Sequence, residues 1–178
     1  KMTCLKNDIK IPFFKYKKNI GLPFYEILKR LGIKKNHKKI FLDYNKFSKK
    51  KINLIKIYPN IKITLKSLKK KFILGVITSK NRSRTINILK RFKLKFDLVL
   101  TPEDLNKGKP YPDDVIKLKK KFKVKFSEII YIGDTLNDLK FSKNSKINFL
   151  FANWGYGSVE YKKVKKIKKI KDIYKFLW

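Results

Sequence analysis

The stretch that decides the fold is Ile129-Ile130-Tyr131-Ile132-Gly133-Asp134-Thr135-Leu136-Asn137-Asp138, an apolar run that ends in a glycine and two carboxylates. A continuous apolar run is typical of a strand covered on both faces, and Gly133 allows a sharp turn where the strand stops. The pattern predicts a buried parallel strand with Asp134 at its carboxyl end, where open α/β sheets place their ligands. The alternative interpretation is a surface turn followed by an aspartate near the start of a helix.

Short apolar runs alternate with segments of helical period from about Tyr58 onward. This alternation predicts right-handed crossovers and a doubly wound parallel sheet, which is an α/β fold. The predicted strands are 72–77, 96–100, 129–132 and 147–151, and the predicted helices are 81–93, 112–121 and 136–143.

Residues 1–57 show no strong strand and two amphipathic helical patterns, at 25–33 and 40–47. They predict a small helical module packed on a sheet domain that spans 58–178, with Pro59-Asn60 at the boundary.

The tail, 161–177, allows two interpretations. A basic amphipathic helix for membrane surfaces is one; a short edge strand near Ile167, followed by a helix from about Asp172, is the prediction that we favour.

The formal net charge of +35 suggests a nucleic-acid binder. However, the basic residues are 44 lysines and only four arginines, and arginine is the residue suited to bidentate recognition of phosphates and bases. We therefore expect mostly solvated surface lysines and no specific nucleic-acid partner.

The single cysteine, Cys4, excludes an intramolecular disulfide and fits a reducing compartment. No apolar run approaches the roughly 18 residues that span a bilayer. A cytoplasmic protein without a membrane partner is expected.

Three groups that could bind an anion or a metal ion fall at the predicted carboxyl ends of strands. They are the hydroxyls of Thr78-Ser79-Lys80-Asn81, the ammonium of Lys109 in a loop stiffened by two prolines, and the carboxylate of Asp134. Phosphoryl transfer needs such parts, because it depends mostly on positioning and charge neutralisation. Thr78 could instead cap a helix, and Lys109 could be one more solvated lysine. Asp138 is the weaker metal-ligand candidate, because a carboxylate in the first turn of a helix also favours the helix dipole.

These motifs resemble those of the haloacid-dehalogenase-like hydrolases. The resemblance is carried by Val76 to Asn81, Gly108 to Asp113 and Tyr131 to Asp138, while Ile20 to Phe24 and Trp154 to Gly157 resemble the phosphoglycolate-phosphatase-like branch with a helical cap. It implies a Rossmann-like core, Mg²⁺ as cofactor, and a small phosphorylated metabolite as substrate. Thr78 and Lys109 would be catalytic, Thr78, Ser79, Lys80 and Lys109 would contact the substrate, and Asp134, with Asp138 as the weaker candidate, would bind the metal.

The first motif of that family, a strand ending in Asp-x-Asp-Gly-Thr, is absent from the chain. We therefore expect an amino-terminally truncated chain that lacks the nucleophile and the first strand, and that is inactive by itself. The rival nucleophile is Asp43, which ends an apolar run but lacks the Gly-Thr. A phosphosugar mutase and a catalytically dead binding protein are the competing functions.

Overall fold

The computed structural model describes residues 2–105, 108–157 and 164–177, and these contain eight α-helices and five strands. The helices are α1 Met2–Lys6, α2 Phe13–Lys17, α3 Phe24–Arg30, α4 His37–Lys50, α5 Ile61–Leu68, α6 Arg82–Arg91, α7 Asp113–Phe122 and α8 Leu136–Asn144. The strands are β1 Gly75–Ile77, β2 Leu98–Leu100, β3 Ile130–Gly133, β4 Asn148–Ala152 and β5 Lys166–Ile167. Short 3₁₀ helices cover Ile52–Leu54, Pro102–Asp104, Phe126–Glu128 and Ile170–Phe176.

The strands form two parallel sheets. β1 pairs with β2 in one, with Val76 opposite Val99, and the order in the other is β3-β4-β5. In the second sheet Ile132 lies opposite Leu150. The α/β class with parallel strands is confirmed, but the described strands are divided between two sheets. β1 and β3 do not pair with each other, and both line one cavity of about 970 Å³.

The predicted strands and helices of the sheet region are all present, although the first two strands are shorter than expected. The strand predicted for 72–77 begins only at Gly75, and the one predicted for 96–100 begins at Leu98. β3 was expected to be buried on both faces, yet Ile130 to Ile132 are half-buried because they border the cavity. The sequence pattern does not predict α1, α2 or α5; the first two have five residues each and bury no side chain, so they leave little periodic signal.

The core lies on both sides of the larger sheet. One cluster joins α5, β4, β5 and the last 3₁₀ helix through Leu68, Leu150, Ile167 and Ile173. A second cluster packs α7 against α8, and its fully buried members are Val115 and Phe141. These clusters bring the helices over the strands and fix which ends of the strands face the cavity.

From Val164 onward, the tail has the favoured arrangement, a short edge strand followed by a helix. β5 extends the larger sheet beside β4, and the 3₁₀ helix that follows buries Ile170 and Ile173. Residues 161–163, part of the segment considered for a membrane surface, lie outside the described residues. Within the described ranges, no helix has both the length and the apolarity needed to cross a membrane.

The helical segment 2–57 contacts the sheet region through α6. Arg84 donates to the phenol oxygen of Tyr44 at 2.8 Å, and Arg91 donates to Asn53 Oδ1 at 2.7 Å. The amide of Asn81 donates to Asn45 Oδ1 at 2.9 Å. These polar contacts hold the segment over one end of the strands, where it forms part of the cavity wall.

A buried carboxylate lies in the first turn of α7. Asp114 is 1% exposed, and neither of its side-chain oxygens accepts a hydrogen bond from any residue that the structure describes. Burial is the main cause that raises the pKa of Asp114 from 3.8 to about 6, with Asp113 adding to the effect and Lys109 opposing it. Because the pKa is higher in the folded state, the ionised form destabilises the fold, and stability falls as the pH rises through this interval.

We therefore expect Asp114→Asn to be more favourable at pH 7.5 than at pH 4.5. The difference between its effects on the free energy of unfolding at the two pH values should be about 1–3 kcal/mol. Urea unfolding at both values measures it. Asp113→Asn, in the same helical turn, is the control and should show a much smaller gain, because Asp113 adds only a minor part of the effect on Asp114; an equal pH dependence for both variants would contradict the explanation.

Candidate active site

The loop after β1 presents Thr78 to the cavity. The backbone N–H of Thr78 donates to the carbonyl of Leu100, and its hydroxyl oxygen accepts from the N–H of Lys80 at 3.2 Å. The hydroxyl proton of Thr78 therefore remains available to a ligand. Asn81, not Thr78, caps α6, since its side chain accepts from the N–H of Arg84 at 2.9 Å. Asn81 therefore has the capping role that the sequence left open for Thr78.

Lys109 is held by a buried ion pair. Its ammonium donates to Asp138 Oδ1 at 2.6 Å and to the phenol oxygen of Tyr131 at 3.0 Å. The side chains of Lys109 and Asp138 are 8% and 5% exposed, so Lys109 is not a solvated surface lysine. Burial alone would lower the pKa of Lys109, but Tyr131 and Asp138 outweigh it and raise that pKa. The ammonium therefore stays charged at every physiological pH.

Asp138 uses both oxygens to organise the turn before α8. One accepts from Lys109 and from Tyr131, while the other accepts from the Thr135 hydroxyl at 2.6 Å and from two backbone N–H groups, of Asp134 and Thr135. Burial opposes ionisation, but Lys109 and these hydrogen bonds lower the pKa of Asp138. The arrangement favours a role in positioning Lys109 and capping α8 over the weaker expectation of a metal ligand.

Asp134 is enclosed by a loop whose glycines allow close approach. The N–H of Tyr156 donates to Asp134 Oδ2 at 2.7 Å, and the N–H of Gly157 donates to its carbonyl oxygen at 3.1 Å. A Cβ on Gly155 would lie 2.1 Å from the Cβ of Asp134, which is impossible without movement. The Trp154 to Gly157 motif therefore fixes the direction of the Asp134 carboxylate.

The linker before α3 docks on the same site. The carbonyl of Gly21 accepts from the Ser79 hydroxyl at 2.7 Å and from the Asn137 amide at 3.1 Å. Gly21 has a φ of +100°, and a Cβ there would approach Thr135 Oγ1 to 3.0 Å. The Ser79 hydroxyl is thus used to hold the helical segment, which leaves its backbone N–H as the group that could contact a substrate.

One cavity brings together the predicted site residues Thr78, Ser79, Lys80, Lys109, Asp134 and Asp138. Asp43 lies elsewhere: it belongs to α4, accepts hydrogen bonds from Lys6 and Asn7, and does not line this cavity. A carboxylate held within a helix by two neighbours of its own segment cannot serve as the nucleophile at the strand ends. The structure therefore removes the rival interpretation of Asp43.

The sequence pattern does not predict that Tyr131 contacts Lys109, or that Arg84 and Tyr44 form part of the cavity wall. Tyr131 had a readable signal, because a phenol in an otherwise aliphatic buried strand usually needs a hydrogen-bond partner. Arg84 and Tyr44 come from different segments, and their proximity is a result of tertiary packing. No local pattern predicts it.

The comparison with protein families gives a match to the model of the haloacid dehalogenase-like hydrolases over residues 6–152. The chain belongs to this family. A phosphoglycolate phosphatase from Mannheimia succiniciproducens is 32% identical over 107 residues, which cover 58% of this chain and 48% of that protein. Pyrophosphatase PpaX from Bacillus mycoides is 29% identical over 104 residues, with coverages of 57% and 48%. The alignments thus span about half the length of these relatives.

The fold is shared with solved structures of the same family. A haloacid dehalogenase-like hydrolase from Streptococcus pneumoniae superimposes with a TM-score of 0.81 at 19% identity, and the match covers 99% of this chain and 87% of that one. At this identity the likeness shows the fold alone. It is consistent with an α/β Rossmann-like arrangement of the helices and strands described above.

Relatives that are named as phosphatases raise the question of a divalent cation. Asp134 lines the cavity, and Oδ2 of its carboxylate accepts from the N–H of Tyr156, whereas Asp138 bonds to Lys109 and to the α8 turn. In the described part of the chain, no three His, Cys, Asp or Glu side chains gather into a metal-binding group. Mg²⁺ typically uses one or two protein carboxylates and keeps several waters, so the donor set around Asp134 fits this ion.

We expect Gly155→Ala to displace Asp134. The added methyl group has no room beside that carboxylate, so the variant should lose thermal stability and should bind Mg²⁺ together with inorganic phosphate at least tenfold more weakly. Gly108→Ala is the matched control, because its Cβ would meet no atom within 4 Å. Thermal denaturation and calorimetric titration measure both properties. Equal behaviour of the two variants would show that the close approach at Gly155 does not matter.

Proposed function

We propose that this protein, at its natural length, is a Mg²⁺-dependent phosphatase that acts on a small phosphorylated metabolite. The observation that carries the proposal is the single cavity that contains the Thr78 hydroxyl, the buried Lys109 ammonium and the Asp134 carboxylate. A fixed positive charge, a hydrogen-bond donor and a metal-binding carboxylate are what stabilise the charge of a transferring phosphoryl group. Family membership supports the same reaction class.

The described residues have separate roles in this proposal. Thr78 donates its hydroxyl proton to a phosphoryl oxygen, with the backbone N–H of Ser79 beside it. Lys109 places its ammonium against the phosphate and the attacking carboxylate, and Asp138 keeps it charged and in place. Asp134 would hold Mg²⁺, which when bound supplies further neutralisation of phosphate charge.

The nucleophilic aspartate is, in this proposal, on a strand outside residues 1–178. The support comes from β1 and β3, which do not pair with each other and both line the cavity. Unpaired strand edges expose N–H and C=O groups that favour the addition of another strand. A parallel strand between them would end next to Thr78 and Asp134, the place where an attacking carboxylate is needed.

The proposed hydrolysis has two steps. A carboxylate oxygen of that aspartate attacks phosphorus and forms an acyl-phosphate bond while the ester P–O bond breaks, and the leaving oxygen takes up a proton from solvent. Water then attacks the phosphorus and gives up a proton to solvent; the acyl-phosphate bond breaks, which releases inorganic phosphate and restores the aspartate carboxylate. Residues 1–57 act as a partial helical cap over the cavity, and residues 58–178 form the core. A cytoplasmic location and the absence of a nucleic-acid or membrane partner complete the proposal.

The substrate is a phosphorylated molecule small enough for the covered cavity. The relatives named phosphoglycolate phosphatase and pyrophosphatase make 2-phosphoglycolate and pyrophosphate the first compounds to test. A phosphosugar mutase would use the same core residues, but it would return the phosphoryl group to a sugar rather than release it to water. Release of inorganic phosphate distinguishes the two.

The test is Mg²⁺-dependent phosphate release by the protein at its natural length and by residues 1–178 alone. The natural-length protein should be active, and Asp134→Asn should raise its Mg²⁺ requirement at least tenfold, because a metal-binding carboxylate is lost. Residues 1–178 alone should be inactive. Turnover by residues 1–178 that Asp43→Asn abolishes would refute the proposal about the nucleophile, and an unchanged Mg²⁺ requirement in Asp134→Asn would refute the metal assignment.

A further inference from the structure

We propose that the cavity contains a second anion-binding subsite, formed by Arg84, Lys80, Tyr16 and Tyr44. It would bind a carboxylate or a second phosphate of the substrate, so the preferred substrates are phosphate esters or anhydrides that carry another negative group. This inference rests on the proposed function, because it assumes that a phosphate occupies the site beside Thr78 and Lys109.

Arg84 is the centre of the subsite. Its guanidinium carbon lies 4.7 Å from the centre of the Tyr44 ring, and one nitrogen donates to the Tyr44 phenol oxygen at 2.8 Å. Tyr44 is itself stacked on Phe24, with ring centres 4.4 Å apart. The guanidinium is thus held in a fixed position on the cavity wall. Of its five N–H donors, one is used by Tyr44, which leaves others for a carboxylate or phosphate.

The positive charge of the subsite is not compensated by an ion pair. No described carboxylate lies within ion-pair distance of Arg84 or Lys80, in contrast to Arg82, which pairs with Asp104. Lys80 lines the same cavity as Arg84, and its side chain is exposed to solvent there. Two cations on one cavity wall repel each other, and an anion between them would relieve the repulsion.

Tyr16 adds a neutral phenol from the helical segment. It lines the cavity beside Tyr44, and burial together with its hydrogen bond to Tyr44 raises the pKa of the phenol. Tyr16 lies in α2 and Tyr44 in α4, whereas Lys80 and Arg84 precede and begin α6. An anion bound here would therefore be held by both parts of the protein.

The position of the subsite suits a short substrate. Lys80 is two residues from Thr78, and its N–H donates to the Thr78 hydroxyl oxygen. The phosphate contacts and the second subsite are therefore on one continuous loop that leads into α6. A compound such as 2-phosphoglycolate, with two carbons between its phosphate ester oxygen and its carboxylate oxygens, matches this arrangement better than a long or uncharged ester does.

The chain offers a matched control for Arg84. Arg91 is also in α6 and also bonds the helical segment, through Asn53, but it does not line the cavity. Arg84→Gln and Arg91→Gln each remove one positive charge and one contact between the two parts of the protein. Only the first removes a donor from the proposed subsite.

The experiment is calorimetric titration of residues 1–178 with 2-phosphoglycolate and with ethyl phosphate, each with Mg²⁺ and about 150 mM salt to screen the surface lysines. Wild type should bind 2-phosphoglycolate about tenfold more tightly than ethyl phosphate, as one charge-assisted contact allows. Arg84→Gln should abolish this preference with less than a twofold change for ethyl phosphate. Arg91→Gln should keep the preference.

The outcomes separate this inference from the proposed function. If both ligands bind equally to wild type, or if Arg84→Gln and Arg91→Gln have equal effects, the second subsite is refuted while the phosphate site stands. If neither ligand binds to wild type, the phosphate site itself fails, and the inference that rests on it fails as well. If Arg84→Gln weakens both ligands by the same factor, Arg84 belongs to the phosphate site and the subsite is again refuted.

Discussion

The buried ion pair between Lys109 and Asp138 is the constraint on which the site depends. Removing two charges from water is costly, and a buried pair is tolerated only when its remaining hydrogen-bonding capacity is satisfied. Here Tyr131 and the turn around Thr135 provide those hydrogen bonds. The pair joins the loop before α7 to the start of α8, so the positions of both depend on the same few atoms.

The neighbouring parts of the site follow from this pair. Because Asp138 accepts from the N–H of Asp134, it helps to set the backbone direction at the end of β3. The Gly155 loop then closes on Asp134, and Gly21 closes on Thr135 from the helical segment. The cations in the cavity differ: Lys109 is paired with Asp138, whereas no carboxylate of the described residues pairs with Lys80 or Arg84. This difference is why we assign Lys109 to fixed charge and positioning, and Arg84 to ligand recognition.

The sequence predicted the order and type of the sheet-region helices and strands except α5, and it predicted three groups at the strand ends: Thr78, Lys109 and Asp134. Those predictions depend on local signals: apolar period, a glycine at a strand end and prolines around Lys109. It did not predict that β1 and β3 would lie in separate sheets, because strand pairing depends on residues distant in the chain. It also could not predict the contact of Arg84 with Tyr44, which needs α4 and α6 to meet, or the burial of Asp114 with no hydrogen-bond partner among the described residues.

A double-mutant cycle on the free energy of unfolding tests the importance of the ion pair most directly, with Lys109→Met, Asp138→Asn and both together. Each single change should cost about 3–5 kcal/mol, because it leaves a buried charge unpaired, and the double variant should cost clearly less than their sum. A parallel cycle at the exposed pair of Lys69 and Asp97 should show far weaker coupling. If the effects at Lys109 and Asp138 add to within about 0.5 kcal/mol, the pair is not coupled and the account is wrong.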